Sequence, residues 1–359
     1  VYCCLNCFTD HIIIRFISDE GEAGDCDFCG GKDTTIIECS ELARYFEPFI
    51  QIYENVENIF PTEVLKEYEG DTLGEALCGE FGIFERDDIA DGILNAIFQD
   101  ESGDHISWQF EDSWVIRRSD YYDDGLTERI DHSKVWGNLA AELKTKNRFF
   151  FRDQEFEESI AKLLQSLDEI IPIHETLFRT RVSAKGKLYV GEEIGMPPPN
   201  SAKAGRANPE GIPYLYLSND EKTAIQEKTP KPGEALSIGV FKVTNELHVV
   251  DLRQISPFSF MESEDFESDI YEIGLLEELS NYLAKPVHSN DKSIEYLPSQ
   301  FLCELIKHSG FDGVIYRSSL GEKDNVALFA QDRVELHDTY LVVTTSTDLN
   351  YRKVIDYRI

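Results

Sequence analysis

The chain has 359 residues, 42% of them apolar, which is enough to bury more than one core and too much for wholesale disorder. Its 68 acidic side chains face 34 basic ones, a formal charge of -34, so the averaged field repels phosphate backbones and anionic membrane surfaces and excludes nucleic acid as a first partner. No apolar run reaches the ~18 residues that span a bilayer and no secretory signal opens the chain, which predicts a cytoplasmic protein with no membrane partner.

Six of the eight cysteines precede residue 40. Cys4-Leu5-Asn6-Cys7 and Cys26-Asp27-Phe28-Cys29 are two close pairs, and each lets one tight turn present two thiolates to a tetrahedral ion. Cys4, Cys7, Cys26 and Cys29 are the expected ligands of a structural Zn2+, with Cys3 and Cys39 as alternates for one of them. His11-Ile12-Ile13-Ile14-Arg15-Phe16 between the pairs reads as a strand, giving a zinc ribbon or knuckle over residues 1–39.

Residues 40–171 are acidic and aromatic with helical periodicity, and read as a mainly helical domain. Its clearest helix is expected from Glu157 to Ile171, where Ile160, Leu163, Leu164, Leu167, Ile170 and Ile171 recur at three- and four-residue steps. Asp112-Ser113-Trp114 and Tyr121-Tyr122-Asp123-Asp124-Gly125 read as connections.

After Pro172 the pattern changes to short β runs at Tyr214–Leu217, Leu247–Leu252, Gly313–Tyr316, Val326–Phe329 and Tyr340–Val343. Helices are expected over Tyr271–Ala284 and Pro298–His308. Strands and helices without strict alternation, and no Gly-x-Gly-x-x-Gly after a strand, predict an α+β domain over residues 172–359 rather than a doubly wound sheet. The acidic stretch Glu262–Glu272 reads as a solvated face or a lid, and His248 and His308 have no companions that suggest a metal site or a triad.

The densest group of unusual residues is Met196-Pro197-Pro198-Pro199 followed by Gly205-Arg206-Ala207-Asn208-Pro209. An arginine in so constrained a loop offers a planar donor fork for phosphate or carboxylate, or else pins its own loop by bonding carbonyls. Phe178-Arg179-Thr180-Arg181, the Gly205–Pro209 loop, Leu215-Tyr216-Leu217, Ala224-Ile225-Gln226-Glu227, Val250-Asp251-Leu252, Gly310–Ser319 and Asn325–Phe329 occur in the order found in RES-domain proteins. The resemblance covers about residues 172–345. The amino-terminal part resembles the zinc-knuckle plus HEPN-type region that precedes some RES domains. It departs from HEPN ribonucleases, which carry an Arg four to six residues before a His. Arg129-Ile130-Asp131-His132 is too short for that pair.

The RES resemblance implies an ADP-ribosyltransferase-like fold and cleavage of NAD+ at the nicotinamide-ribose bond, by phosphorolysis or hydrolysis. Transfer of ADP-ribose to a protein stays open, as does nucleotide binding without catalysis. It also implies a toxin held by an antitoxin or inhibitor, a toxin-antitoxin or antiphage setting, a homo-oligomer, and phosphate as a co-substrate. Residue by residue, it assigns Arg206, Glu227 and Ser318 to catalysis. Arg179, Tyr216, Asn325, Asn208 and Ser319 are assigned to binding NAD+, with Arg181 a substitute for Arg179. Either Ser318 or Ser319 supplies the family serine, and strand alternation from Tyr316 favours Ser318. The residue types suit the reaction, because a carboxylate such as Glu227 stabilises an oxocarbenium-like centre and arginines grip phosphates.

Overall fold

The structure is a computed structural model that describes residues 1–66, 69–99, 113–118, 132–148, 154–263, 265–284 and 292–345. It divides into two units, Val1–Asp131 with Ser256–Ile273, and His132–Ile255 with Gly274–Ile359. Tyr121–Gly125, Asp112 and Arg129 lie outside the described residues.

The first unit opens with a three-stranded antiparallel sheet of β1 (Tyr2–Cys4), β2 (Glu22–Gly24) and β3 (Thr34–Glu38), ordered β1-β3-β2. The segment expected as a strand is instead helix α1 (His11–Glu20). Three consecutive isoleucines favour a strand locally, but the Asp10 carboxylate accepts from the N–H groups of Ile12 and Ile13, which caps a helix, and Ile13 and Ile17 bury one face four residues apart. Helices α2 (Ala43–Ile52), α3 (Leu73–Phe81) and α4 (Asp87–Ile97) follow, α3 starting at a capping box between Thr72 and Glu75, and strands β4 (Tyr53–Asn55) and β5 (Val115–Arg117) pair antiparallel.

Phe46 and Phe49 of α2 are fully buried, and both meet the Phe258 ring edge-on at 5.4 and 5.5 Å. Phe49 also meets Phe266 at 5.2 Å. These rings tie Ser256–Ile273 to the first unit, although that segment is flanked in the chain by the second. The expected solvated face or lid at Glu262–Glu272 is corrected only in its second half: Glu262 and Asp265 are exposed, but Asp269 and Glu272 are buried, and Asp269 accepts a hydrogen bond from the Ser263 hydroxyl.

The second unit is built on an eight-stranded sheet ordered β13-β9-β7-β8-β12-β11-β10-β6. Its strands are β6 (Asp168–Ile171), β7 (Thr176–Val182), β8 (Leu215–Ser218), β9 (Ala235–Val243), β10 (Leu247–Asp251), β11 (Gly313–Arg317), β12 (Asp324–Leu328) and β13 (Val334–Val343). All neighbours are antiparallel except β10 and β11, so the α+β expectation holds. Leu177, Leu215, Leu217, Phe241, Val249, Ile315, Val326 and Leu328 form the core on one face.

Helix α5 (His132–Thr145) and helix α6 (Gln154–Gln165) belong to this unit, where both pack on helix α9 (Leu297–His308). The compact units thus part elsewhere than at residues 39 and 171. The helix expected to reach Ile171 ends earlier, because Ile170 is exposed and Ile171 buried in the alternation of edge strand β6. The helix expected over Tyr271–Ala284 begins as α8 (Ile273–Ala284), after a short helix Phe266–Tyr271.

Candidate active site and cysteine cluster

The candidate site lies where the large sheet opens. Strand β7 runs against β9 for its full length but meets β8 only at the Phe178–Ser218 pair. Beyond that pair the strands part, and Arg179 Nη1 donates to the Tyr216 carbonyl at 3.1 Å in place of a ladder bond. The gap holds a cavity of about 80 Å³, lined by Arg179 and Thr180 of β7, Tyr216 of β8, Tyr316 of β11, Asn325 of β12, and Glu227 and Lys228. Tyr316, Asn325 and Ser218 are register neighbours across β11, β12 and β8, on the face opposite the Leu217–Val326 core pair.

Glu227 caps the short helix α7 (Glu221–Gln226), whose start is fixed by Asp220 accepting from Thr223 N at 2.8 Å. Glu227 Oε1 accepts from Ser318 Oγ at 2.6 Å and from Asn325 Nδ2 at 2.7 Å. Ser318 Oγ itself accepts from Leu320 N at 3.1 Å and Gly321 N at 2.8 Å. A hydroxyl has one proton, and with both N–H groups on its oxygen that proton is directed at the carboxylate. Glu227 Oε2 takes no hydrogen bond among the described residues. Of the two serines, Ser318 is thus the one in contact with the Glu227 carboxylate, whereas Ser319 is exposed.

Arg179 is the site's half-buried cation. Burial first, and then the charge of Arg181, bring its guanidinium down to about 10, so it stays charged at neutral pH. Its Nε is buried with no hydrogen-bond partner among the described residues. Arg181 points elsewhere, donating to the Glu193 carbonyl and stacking over Tyr189 at 4.4 Å.

The Gly205–Pro209 loop is organised from below by Tyr216, whose Oη donates to Asn208 Oδ1 at 2.7 Å and accepts from Ala207 N at 3.0 Å. Gln300 Nε2 donates to the Gly205 and Asn208 carbonyls, and Ser299 Oγ to that of Arg206. Gly205 has no room for a Cβ, which would meet Tyr216 Oη and, at 2.6 Å, Asn208 Oδ1. Two residues expected at the ligand are placed differently. Asn208 is buried and its Nδ2 donates to the carbonyls of Lys203, Pro209 and Ile212, so its amide serves the loop. Arg206 does not line the cavity, and its Nη1 donates to the Leu283 and Ala284 carbonyls at the end of α8, the carbonyl-pinning role. Tyr316 carries no site role in the sequence, where it is a β-run residue and the reference for the alternation to Ser318, yet it is buried on the cavity. Desolvation holds its phenol well above the usual range, reinforced by Tyr216 and Glu227 and opposed by Arg206.

In the first unit the thiol sulfurs of Cys4, Cys7, Cys26 and Cys29 lie within 4.8 Å of one another, a spacing that fits a tetrahedral thiolate-bound ion. Burial pushes Cys4 up to about 11. Desolvation also raises Cys26, but the N–H groups of Cys29 and Phe28 outweigh it and bring the thiol to about 7. Cys3 and Cys39 stand outside this group.

Residues 177–350 match the RES domain family model. No curated protein matches the chain. Among solved structures, a chain of the M. tuberculosis MbcT-MbcA toxin-antitoxin complex is similar, at 16% identity over 52% of this chain and 93% of its own, with a TM-score of 0.32.

Proposed function

With residues 177–350 a RES domain, we propose that the cavity between β7 and β8 binds the nicotinamide end of NAD+ and cleaves its nicotinamide-ribose bond, which makes the protein a toxin-like, NAD+-consuming enzyme. The observation that carries the reading is a carboxylate, Glu227, aimed by Ser318 and Asn325 into a cavity that a charged, under-bonded arginine also lines.

In this reaction the C1′–N bond electrons pass to the pyridinium and neutralise it, leaving positive charge on the ribose. Glu227 Oε2 meets that charge or holds the ribose hydroxyls, and the Ser318 and Asn325 bonds keep it from turning away as the charge develops. Tyr216 and Tyr316 present aromatic walls to the ring, and Arg179 binds a phosphate. A cavity of about 80 Å³ is smaller than the dinucleotide, so part of the ligand lies outside its mouth. Water or phosphate completes the bond to C1′. The four cysteines would hold a structural Zn2+ that orders the small sheet.

Purified protein incubated with NAD+ should release nicotinamide, and Glu227→Gln should lower the rate by about 100-fold or more, as when a transition-state contact is lost. Wild-type rates in that variant would overturn the assignment. Running the assay with and without phosphate separates phosphorolysis from hydrolysis, and label appearing on a macromolecule would instead identify ADP-ribosyl transfer.

A further inference from the structure

Among the described residues, three donors on the cavity have no acceptor. Thr180 is 3% exposed and its Oγ1 makes no hydrogen bond. Arg179 Nε is buried and unbonded. The Lys228 ammonium has no hydrogen-bond or ion-pair partner among the described residues, in a chain with 68 acidic side chains. All three residues line the same cavity. Each buried donor without a partner costs about 1–3 kcal/mol, and two adjacent cations repel, so the arrangement is one that a bound anion completes.

The backbone beside Lys228 is strained as well. Thr229 has φ 44°, a left-handed conformation that a β-branched residue adopts at a cost of about 1–3 kcal/mol. Thr229 N bonds the Gln226 carbonyl at 2.9 Å, and this tight reversal after α7 holds Lys228 next to Glu227 on the cavity wall. Although the residue as a whole is exposed, its amine is lowered by desolvation and then by the Arg179 charge, with Glu227 opposing, so the two cations act on one another.

We propose that Arg179, Thr180 and Lys228 form a subsite for a phosphate oxyanion, and that Lys228 sets its affinity. An arginine fork, a point-charge ammonium and a hydroxyl match the several acceptors of a tetrahedral oxyanion. Glu227 supplies one negative charge against the two positive ones, so the subsite is cationic by one unit. The phosphate is either a group of the dinucleotide or free inorganic phosphate. The inference rests on reading the cavity as the NAD+ site, and it places on Lys228 an anion-binding role that the sequence suggested for Arg206.

The test uses the full chain with Lys228→Met, Lys228→Arg and Thr180→Val. Calorimetry measures binding of inorganic pyrophosphate and of inorganic phosphate at fixed ionic strength, and nicotinamide release is followed against NAD+ at several phosphate concentrations. Lys228→Met should weaken oxyanion binding by about tenfold or more and raise the matching KM by a similar factor, with kcat changed less than about threefold, as expected for loss of a charge-assisted contact made in the ground state. Lys228→Arg should restore both to within about threefold, and Thr180→Val should weaken binding by about threefold or more. A KM effect on NAD+ at every phosphate concentration assigns the dinucleotide's own phosphate. A change confined to the phosphate dependence assigns the free ion. If wild type binds oxyanion, Lys228→Met does not, and neither releases nicotinamide, the subsite stands and the NAD+ reading falls. Wild-type oxyanion affinity and KM in a Lys228→Met protein of unchanged melting temperature overturn the proposal, as does a wild-type chain that binds neither anion.

Discussion

Replacing Ser318 by alanine tests whether this residue acts by aiming Glu227. The change removes the 2.6 Å hydrogen bond to Oε1 and leaves the carboxylate with Asn325 alone. A hydrogen bond to a charged group contributes about 1.5–3 kcal/mol, so kcat should fall about 10- to 150-fold. The fold should lose much less, since the Leu320 and Gly321 N–H groups that Ser318 accepts lie at an accessible turn where water replaces it. Nicotinamide release gives kcat and KM, and a thermal melt gives stability. A double-mutant cycle sharpens the result. If the serine works through the carboxylate, Ser318→Ala in a Glu227→Gln background should cost less than about threefold. Equal losses in both backgrounds would refute the positioning role, and a wild-type kcat in the single variant would refute any role.

Arg206→Ala should act on stability before chemistry, lowering the unfolding free energy by about 1.5–3 kcal/mol because two carbonyls at the end of α8 lose a charged donor; chemical denaturation of the variant checks this. Gly205→Ala should cost about 1–3 kcal/mol and reduce activity, since the added methyl drives into the Tyr216–Asn208 hydrogen bond, and melting and nicotinamide release are measured together. His248 pairs with Asp168 across β10 and β6 at 2.8 Å, which raises the imidazole above its usual 6.5. A raised folded-state pKa means the bond supports the edge strand fully below 6.5 and is lost as pH rises through the higher value, so amide protection factors along Asp168–Ile171, taken relative to intrinsic exchange, should fall at alkaline pH, and His248→Gln should remove that fall. Metal analysis should find one zinc per chain, and a chelator or Cys26→Ser should lower the melting temperature of the first unit and leave nicotinamide release by the second measurable.

The sequence marked the site's parts better than their roles. Arg179, Tyr216, Glu227 and Asn325 all reach one cavity, and the alternation argument favoured the serine that contacts the carboxylate. It had no means of showing that the Arg206 side chain reaches carbonyls about 78 residues away, since a constrained arginine looks the same whether it meets a ligand or a helix end. Lys228 and Thr180 carried no signal, because an exposed-type lysine after a helix and a threonine in a strand are ordinary until the strands beside them separate. Among the elements, His11–Phe16 was misread because β-branched composition outweighed the Asp10 cap, a contest between propensity and capping that composition alone does not decide. Strand β9 went unnoticed for the opposite reason. Both faces of Ala235–Val243 are largely buried, which erases the period-two pattern that reveals half-buried strands.

The bonds that orient Glu227 span 91 and 98 residues of chain. A ribosome must therefore synthesise β11 and β12 before the carboxylate has any alignment, even though the helix that carries it emerges far earlier. A nascent or truncated chain ending before Ser318 would contain the acid, the arginine and the aromatic wall and yet have no aimed group, so the carboxylate gains its alignment only once β12 has been made and has paired.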